Sequence, residues 1–324
     1  MRKTLTRLLS LLLCLMTLSG CARQSGSKLD GYTNGADLDM IYMNAEATAL
    51  SSTFSLSIGF PDTEAPGTLT QKNAKAIIDY SNTADGYVMA QFTAQTDKKL
   101  KAQVTGPTTT YTYNLTAGKW AAFPLSDGNG SYKVTIYENV ADTKYSAVLS
   151  ASFSLKLEDE FAPFLRPNQY VNYSEAEDTI NKGLELTEGL EDPLEMVAAV
   201  YDFVVENFKY DKVKAKTVKS GYLPDLDAIM KKEKGICFDY AAVMAAMLRS
   251  QGVPCKLVVG YAGSTYHAWI NVWSEDEGWI DGAVFFDGQK WQRMDPTYAS
   301  SNNRSDAIMK YINNEDNYTV KYLY

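Results

Sequence analysis

Gly235-Ile-Cys-Phe-Asp-Tyr-Ala241 is a stretch in which a glycine breaks the chain and a cysteine begins a long apolar segment. The residues from Ala241 to Leu248 are apolar almost all round, which is typical of a helix buried inside a domain. Gly252 and Pro254 follow in the order expected beyond a helix C-terminus. The free N–H groups and the dipole at the start of a helix favour a thiolate over a thiol. Cys237 is therefore a candidate nucleophile, although a free cysteine more often serves as a small apolar core residue.

The composition indicates a folded, acidic protein with room for two domains. The chain has 324 residues, of which 45% are hydrophobic and 12% aromatic. Those fractions are typical of globular proteins rather than disordered ones. The formal net charge of -8 argues against a nucleic-acid partner, because such partners require a basic surface.

The first twenty residues have the pattern of an export signal. Basic residues precede an apolar run from Leu8 to Leu18, which is too short to span a bilayer as a permanent helix. Leu18-Ser-Gly-Cys21 resembles the lipobox of bacterial lipoproteins, in which the cysteine is acylated after cleavage. We therefore predict a lipoprotein signal peptide at residues 1–20 and a lipidated Cys21 with a flexible tether at residues 21–32. The protein would be extracytoplasmic and anchored to the bacterial membrane; an ordinary secretory signal with a chance cysteine is the alternative.

The four cysteines do not form a disulfide framework. Cys14 lies in the predicted signal and Cys21 would carry lipid, which leaves Cys237 and Cys255 in the folded part. One bridge between these two is an alternative, but a helix of about four turns separates them and a disulfide needs close Cα atoms. Zinc is less favoured, because two cysteines and one histidine lack the paired spacing of structural zinc sites.

Short runs rich in valine, threonine and tyrosine predict a β domain, which we place at residues 33–158. Turn residues separate these runs, as at Asp127-Gly-Asn-Gly130. The spacing predicts an antiparallel β-sandwich, and an immunoglobulin-like architecture is one form of it. Trp120 does not settle the topology, because no paired cysteines flank it. The expected strands are residues 86–92, 100–104, 109–115, 120–125, 132–137 and 145–157.

The pattern changes from strand to helix after the acidic residues Glu158 to Glu160 and two nearby prolines. Asp192-Pro-Leu-Glu195 predicts a helix start, with aspartate as the N-cap and proline at the first position. Apolar residues then recur at steps of three and four as far as Phe208. We interpret the lysine-rich residues 211–219 as a solvated loop and residues 224–232 as a short helix.

Strand patterns return after the cysteine segment. Helices followed by an antiparallel sheet make an α+β domain, which we place at residues 159–324. Asp287-Gly288 is typical of a hairpin turn. The expected strands are residues 255–261, 265–273, 284–286, 289–295 and 318–324.

His267 is the single histidine of the chain and lies in Tyr266-His-Ala-Trp269. A general base for a thiol near neutral pH would have to be this side chain, because no other titrates there unperturbed. Asp295 comes before a proline at the end of a predicted strand and could orient the imidazole. A turn-capping role for Asp295 is an equal alternative. Cys237, His267 and Asp295 would then be the nucleophile, base and orienting acid of thiol acyl transfer.

Several blocks in this order resemble the transglutaminase-like superfamily of cysteine enzymes, in its bacterial secreted branch. The resemblance covers about Leu194 to Ala299. It implies a papain-like α+β core with a Cys-His-Asp triad, carried over to Cys237, His267 and Asp295. The blocks that carry it are Asn207–Asp211, Gly235–Ala241, Leu248–Pro254, Val259–Tyr261, His267–Trp269 and Met294–Thr297.

The resemblance implies an exported enzyme that acts on amide bonds through a thioester. The backbone N–H of Cys237 and, as a weaker candidate, Tyr210 would stabilise the oxyanion. We expect no cofactor and no metal, since a calcium-loop signature is absent from the sequence. The substrate would be a peptide or protein amide, with cell-wall peptides as candidates on the ground of location.

Two readings of the function stay open. The enzyme would be a protein-glutamine transamidase or a peptidase, depending on whether an amine or water accepts the acyl group. The alternative is a non-catalytic surface binding or adhesion protein that uses the core as a scaffold. The sequence indicates neither the oligomeric state nor a ligand of the β domain.

Overall fold

The computed structural model describes residues 63–275, 278–280, 284–286, 291–293 and 318–324, with the backbone alone at 284–286 and 291–293. Several predicted features lie outside these residues: the signal peptide, Cys21 and the tether, the Asp287-Gly288 turn, and Asp295. Those interpretations therefore stay predictions.

Two four-stranded antiparallel sheets occupy residues 70–155. One has the order β1-β2-β3-β6 and the other β5-β4-β7-β8. All six predicted strands are confirmed, whereas β1 and β2 were not expected because they are too short to show alternation. The strands are β1 (Thr70–Lys72), β2 (Ala76–Asp79), β3 (Tyr87–Phe92), β4 (Leu100–Thr105), β5 (Thr110–Leu115), β6 (Trp120–Pro124), β7 (Gly130–Ala141) and β8 (Lys144–Leu155).

Period-two alternation decides which face of these strands is buried. On β4, Leu100, Ala102 and Val104 are buried, whereas the residues that alternate with them are half-buried. On β5, Tyr111 and Tyr113 point to the core, where their rings stack with centroids 6.5 Å apart. These tyrosines therefore pack in the interior, whereas Trp120 on β6 is 39% exposed.

Five α-helices follow in the described chain, and three of them pack against the one that begins at the cysteine. Asp192 caps α2 by accepting the N–H of Leu194 at 2.9 Å, as predicted. The interpretation of residues 211–219 as a loop was wrong, because Asp211 accepts two N–H groups and starts a short helix there. The helices are α1 (Glu177–Thr187), α2 (Pro193–Asn207), α3 (Lys212–Thr217), α4 (Leu226–Lys232) and α5 (Cys237–Ser250). No described helix is long and apolar enough to cross a membrane.

A third four-stranded antiparallel sheet packs against α5. Its order is β13-β12-β11-β16, and β11 and β12 form a hairpin against the helix. A pair of two-residue strands, β9 and β10, runs parallel just before α5. The strands are β9 (Lys209–Tyr210), β10 (Lys234–Gly235), β11 (Cys255–Ala262), β12 (Thr265–Ser274), β13 (Gly278–Ile280), β14 (Val284–Phe286), β15 (Trp291–Arg293) and β16 (Tyr318–Leu323).

Arg249, at the end of α5, joins the helix to three other segments. Its guanidinium is buried and donates to the carbonyl oxygens of Cys255 at 2.8 Å, Arg166 at 2.9 Å and Tyr324 at 2.6 Å. A buried cation needs such a full set of acceptors. The described residues all belong to one compact unit, Thr53–Tyr324, within which the boundary expected at residue 159 stays a prediction.

Candidate active site

Cys237 is the first residue of α5, where its half-buried thiol stands at the end of a fully buried helix. Ile236 precedes it in extended conformation, and its carbonyl accepts the N–H groups of Asp239 and Tyr240. The thiol therefore lies in the field of the helix N-terminus, which stabilises negative charge. The all-apolar run 241–248 explains this placement, since it forces the helix into the core.

The second thiol of the described chain, Cys255, has the opposite environment. It begins β11, is fully buried, and burial raises its pKa to about 12. Both thiols are free, so the alternative of a Cys237–Cys255 bridge is wrong. Cys255 is thus an apolar core residue, as most free cysteines are.

His267 lies on β12 opposite Gly260 of β11 and is 5% exposed. Its ring stacks with that of Trp269, with centroids 6.5 Å apart. Gly260 permits close packing of β16: a Cβ there would lie 2.0 Å from the carbonyl oxygen of Thr319. The hairpin therefore presents a buried imidazole on a rigid strand.

Cys237 and His267 line the same cavity of about 490 Å³. Tyr210, the weaker oxyanion candidate, lines it as well, whereas Asp295 lies outside the described residues. The cavity is lined mainly by aromatic and apolar side chains with a small number of polar groups, as is usual for small-molecule binding sites. Its other aromatic walls are Tyr170, Tyr222, Phe238, Tyr266 and Tyr324.

Four tyrosine hydroxyls of the cavity are held in their protonated form. Burial is the main cause that raises the pKa of Tyr170, Tyr266 and Tyr324. For Tyr222 burial is again the first cause, and its hydrogen bond to Asp239 is the second. These four hydroxyls therefore bring no negative charge to the cavity, and the O–H of Tyr222 is donated to Asp239.

Asp239, two residues after the cysteine, is the centre of a buried polar cluster. Its side chain is 0% exposed, and its Oδ2 accepts the Nζ of Lys214 at 2.6 Å. Oδ1 accepts the hydroxyl of Tyr222 at 2.7 Å, and Oδ2 also accepts the N–H of Ile236 at 2.8 Å. We refer to Lys214, Tyr222 and Asp239 as the clasp.

The clasp resolves an electrostatic conflict at the candidate nucleophile. A carboxylate close to a cysteine disfavours the thiolate. Here the ammonium of Lys214 neutralises Asp239, and the carboxylate also stabilises the helix start through the N–H of Ile236. The sequence indicated a helix-stabilising role for Asp239, but Lys214 and Tyr222 were missed because their partner lies 25 and 17 residues away.

Residues 211–222, which we call the strap, form one wall of the cavity through Ala215, Val218, Lys219 and the segment that ends at Tyr222. The strap is fixed at its start, where the N–H of Asp211 donates to Gly235 at 2.7 Å. It is fixed at its end, where Asn114 of β5 donates to the carbonyl of Gly221 at 3.1 Å. With the clasp between these points, the wall is held against the start of α5.

Residues 180–296 match the profile of the transglutaminase-like superfamily. That range includes α5, both cavity residues Cys237 and His267, and the predicted Asp295. The chain contains a transglutaminase-like domain. Among the described residues, no group of three or more histidine, cysteine, aspartate or glutamate side chains could hold a metal ion.

The chain is also similar to part of a much longer curated relative. That protein, a protein-glutamine gamma-glutamyltransferase of Pseudomonas aeruginosa, is 29% identical over 129 residues. The match covers 35% of this chain and 17% of the relative. The chain thus spans about a sixth of the length of the relative it matches.

Two crystal structures show more distant likeness. A candidate cysteine protease of Cytophaga hutchinsonii has a TM-score of 0.37 and 15% identity, covering 79% of this chain and 84% of that one. Red sea bream transglutaminase has a TM-score of 0.30 and 13% identity, covering 70% of this chain and 53% of that one.

Proposed function

We propose that the transglutaminase-like domain is a cysteine enzyme that acts on amide bonds, as a protein-glutamine transamidase or a peptidase. The observation that carries the proposal is the shared cavity of Cys237 and His267 within the matched region. A thiol at a helix N-terminus beside an imidazole is the arrangement of nucleophile and base in thiol acyl transfer. The relative in Pseudomonas aeruginosa, by its name, transfers gamma-glutamyl groups of protein glutamine.

The proposed reaction has two halves. His267 takes the proton of the Cys237 thiol, the Sγ attacks the amide carbonyl carbon, and the electron pair of the C=O bond moves to oxygen. When the tetrahedral intermediate collapses, the C–N bond breaks and His267 gives its proton to the leaving nitrogen. An amine or water then attacks the thioester carbonyl, His267 takes the proton from it, and the C–S bond breaks to restore Cys237.

Other residues have supporting roles in this proposal. Asp295 would hold the imidazole tautomer, and the N–H of Cys237 with the hydroxyl of Tyr210 would bind the oxyanion. The position of Tyr210 in the cavity wall supports this assignment. We also propose that the fold is a papain-like core preceded by an immunoglobulin-like sandwich.

The proposed location and substrates follow from the sequence. We propose that Cys21 carries a lipid that anchors the protein outside the cytoplasm, and that the substrate is an exported protein or a cell-wall peptide. The support is the lipobox-like Leu18–Cys21 segment.

The proposal is tested by incubating the purified protein with a glutamine-containing peptide and a tagged primary amine. Mass spectrometry should show a tagged adduct for a transamidase, or a cleaved or deamidated peptide for hydrolysis. The Cys237→Ala variant should give neither product, while Cys255→Ala should keep the wild-type activity. If the wild type leaves every tested amide unchanged, the non-catalytic binding protein becomes the better account.

A further inference from the structure

The strap is a cationic segment of an acidic protein, and it forms one wall of the cavity. It contains four lysines and one aspartate, a net formal charge of +3, whereas the whole chain has a net charge of -8. The lysines are Lys212, Lys214, Lys216 and Lys219. A charge of opposite sign to that of the whole protein, beside a candidate site, points to selection of a charged partner.

Two of the charges in the strap are already engaged. Lys214 pairs with the buried Asp239 in the clasp, and Asp211 pairs with Lys234 at 3.4 Å. The hydrogen bonds from the N–H groups of Lys214 and Val213 to Asp211, with Lys234 nearby, lower the pKa of this carboxyl. The only acid of the strap therefore stays ionised and occupied, and it does not offset the remaining lysines.

The other three lysines have their charges in solvent. Lys212, Lys216 and Lys219 are exposed, and within the described part of the chain they form no ion pair. Lys212 and Lys216 are four residues apart on α3 and so lie on one face of it. Lys219 lines the cavity itself.

The backbone that carries these lysines is anchored at three points. The strap is bonded to Gly235 at one end, to Asn114 at the other, and to Asp239 between them. No acidic side chain is among the described residues that line the cavity. One lysine in the cavity wall and two more on the same anchored segment are complementary to carboxylates.

We propose that the strap selects acidic peptides, in which carboxylates flank the reacting amide. Lys219 would contact a carboxylate within the cavity, while Lys212 and Lys216 would attract acidic residues that extend beyond its mouth. The inference names the substrate class for the site assigned above, and it rests on that proposed function.

The test uses three fluorescent peptides that share a central glutamine flanked by glutamates, serines or lysines. Their binding to the Cys237→Ala protein is measured by fluorescence anisotropy, so that no turnover interferes. The acidic peptide should bind about tenfold more tightly than the neutral one at about 20 mM salt. This preference should shrink severalfold at about 300 mM salt, because exposed charges are screened.

A matched pair of variants locates the effect. Replacement of Lys212, Lys216 and Lys219 by glutamine should abolish the preference. The same change at Lys72, Lys133 and Lys144, exposed lysines of the sheets, removes equal charge and should leave the preference intact. Equal binding of all three peptides, or equal effects of both triple variants, would overturn the inference.

Two further outcomes separate this inference from its rivals. The first outcome concerns vesicles of phosphatidylcholine that contain phosphatidylglycerol. If the wild type binds these vesicles, the strap variant does not, and no peptide is preferred, the lysines bind a lipid surface and the inference is overturned. Wild-type turnover is measured separately with the same peptides. Turnover without acidic preference would overturn the inference alone, whereas acidic preference without turnover would overturn the proposed enzymatic function alone.

Discussion

Replacement of Asp239 tests whether the clasp holds the start of α5. Asp239→Ala removes one hydrogen bond to an ammonium and two to neutral donors, and it leaves the buried N–H of Ile236 without its carboxylate. We expect a loss of roughly 3–5 kcal/mol in the free energy of unfolding. Lys214→Met should cost less, roughly 1–3 kcal/mol, because the lysine side chain is 26% exposed and the carboxylate keeps two donors.

Thermal unfolding provides the assay, with Glu195→Ala as the matched control. Glu195 occupies the third position of α2, as Asp239 does in α5, but it is exposed. Its replacement should cost less than about 1 kcal/mol. Asp239→Ala should lower the Tm by roughly 5–15 °C. If Asp239→Ala and Glu195→Ala have equal effects, the buried clasp does not stabilise the helix start.

The charges of Lys214 and Asp239 should affect the alkylation rate of Cys237 in opposite directions. Lys214→Met leaves a buried carboxylate near Cys237, and we expect its alkylation by iodoacetamide at pH 7 to slow by about threefold or more. Asp239→Asn leaves the ammonium instead, so alkylation should be as fast as in the wild type or faster. Equal slowing in both variants would show that only the shape of the site has changed.

Three further predictions follow from buried groups. Because burial raises the pKa of Cys255 to about 12, its contribution to stability is complete below the unfolded-thiol pKa of about 8.5 and falls as the pH rises towards 12. The unfolding free energy of Cys255→Ala should therefore fall less steeply with rising pH, by up to about 1.4 kcal/mol per pH unit. A slope identical to that of the wild type would contradict this. Gly235→Ala would place a Cβ 2.6 Å from that of Asp239, and we expect roughly 1–3 kcal/mol of destabilisation in urea unfolding, whereas an unchanged midpoint would show that the clasp can shift. Arg249→Met removes three hydrogen bonds to backbone oxygens, two of them buried, and should cost roughly 3–5 kcal/mol at an unchanged m-value, a figure refuted by a loss below about 1 kcal/mol.

The sequence predicted the elements whose pattern is local. The alternation of Leu100 to Thr105 gave β4, and the apolar run after Cys237 gave the buried α5. The same reasoning missed α3, because lysines at residues 212–216 show no apolar face. The helix forms because the Asp211 side chain caps its N-terminus, although the segment is rich in exposed lysines.

The candidate site was predicted in its chemistry but not in its walls. Cys237 and His267 could be proposed because few side chains can serve as nucleophile and base at neutral pH. The clasp could not, because several lysines precede α5 and only tertiary packing chooses Lys214 as the partner of Asp239. A buried aspartate in the first turn of an apolar helix was nevertheless a signal that a cation must lie close by.

The most direct test of the central claim is alkylation of the two thiols in the folded protein, measured by mass spectrometry between about pH 5 and 9. The central claim predicts that Cys237 is alkylated at pH 7, that Cys255 stays unmodified, and that His267→Ala slows the alkylation of Cys237 by about tenfold or more. Equal, slow modification of Cys237 and Cys255, unaffected by His267→Ala, would contradict it.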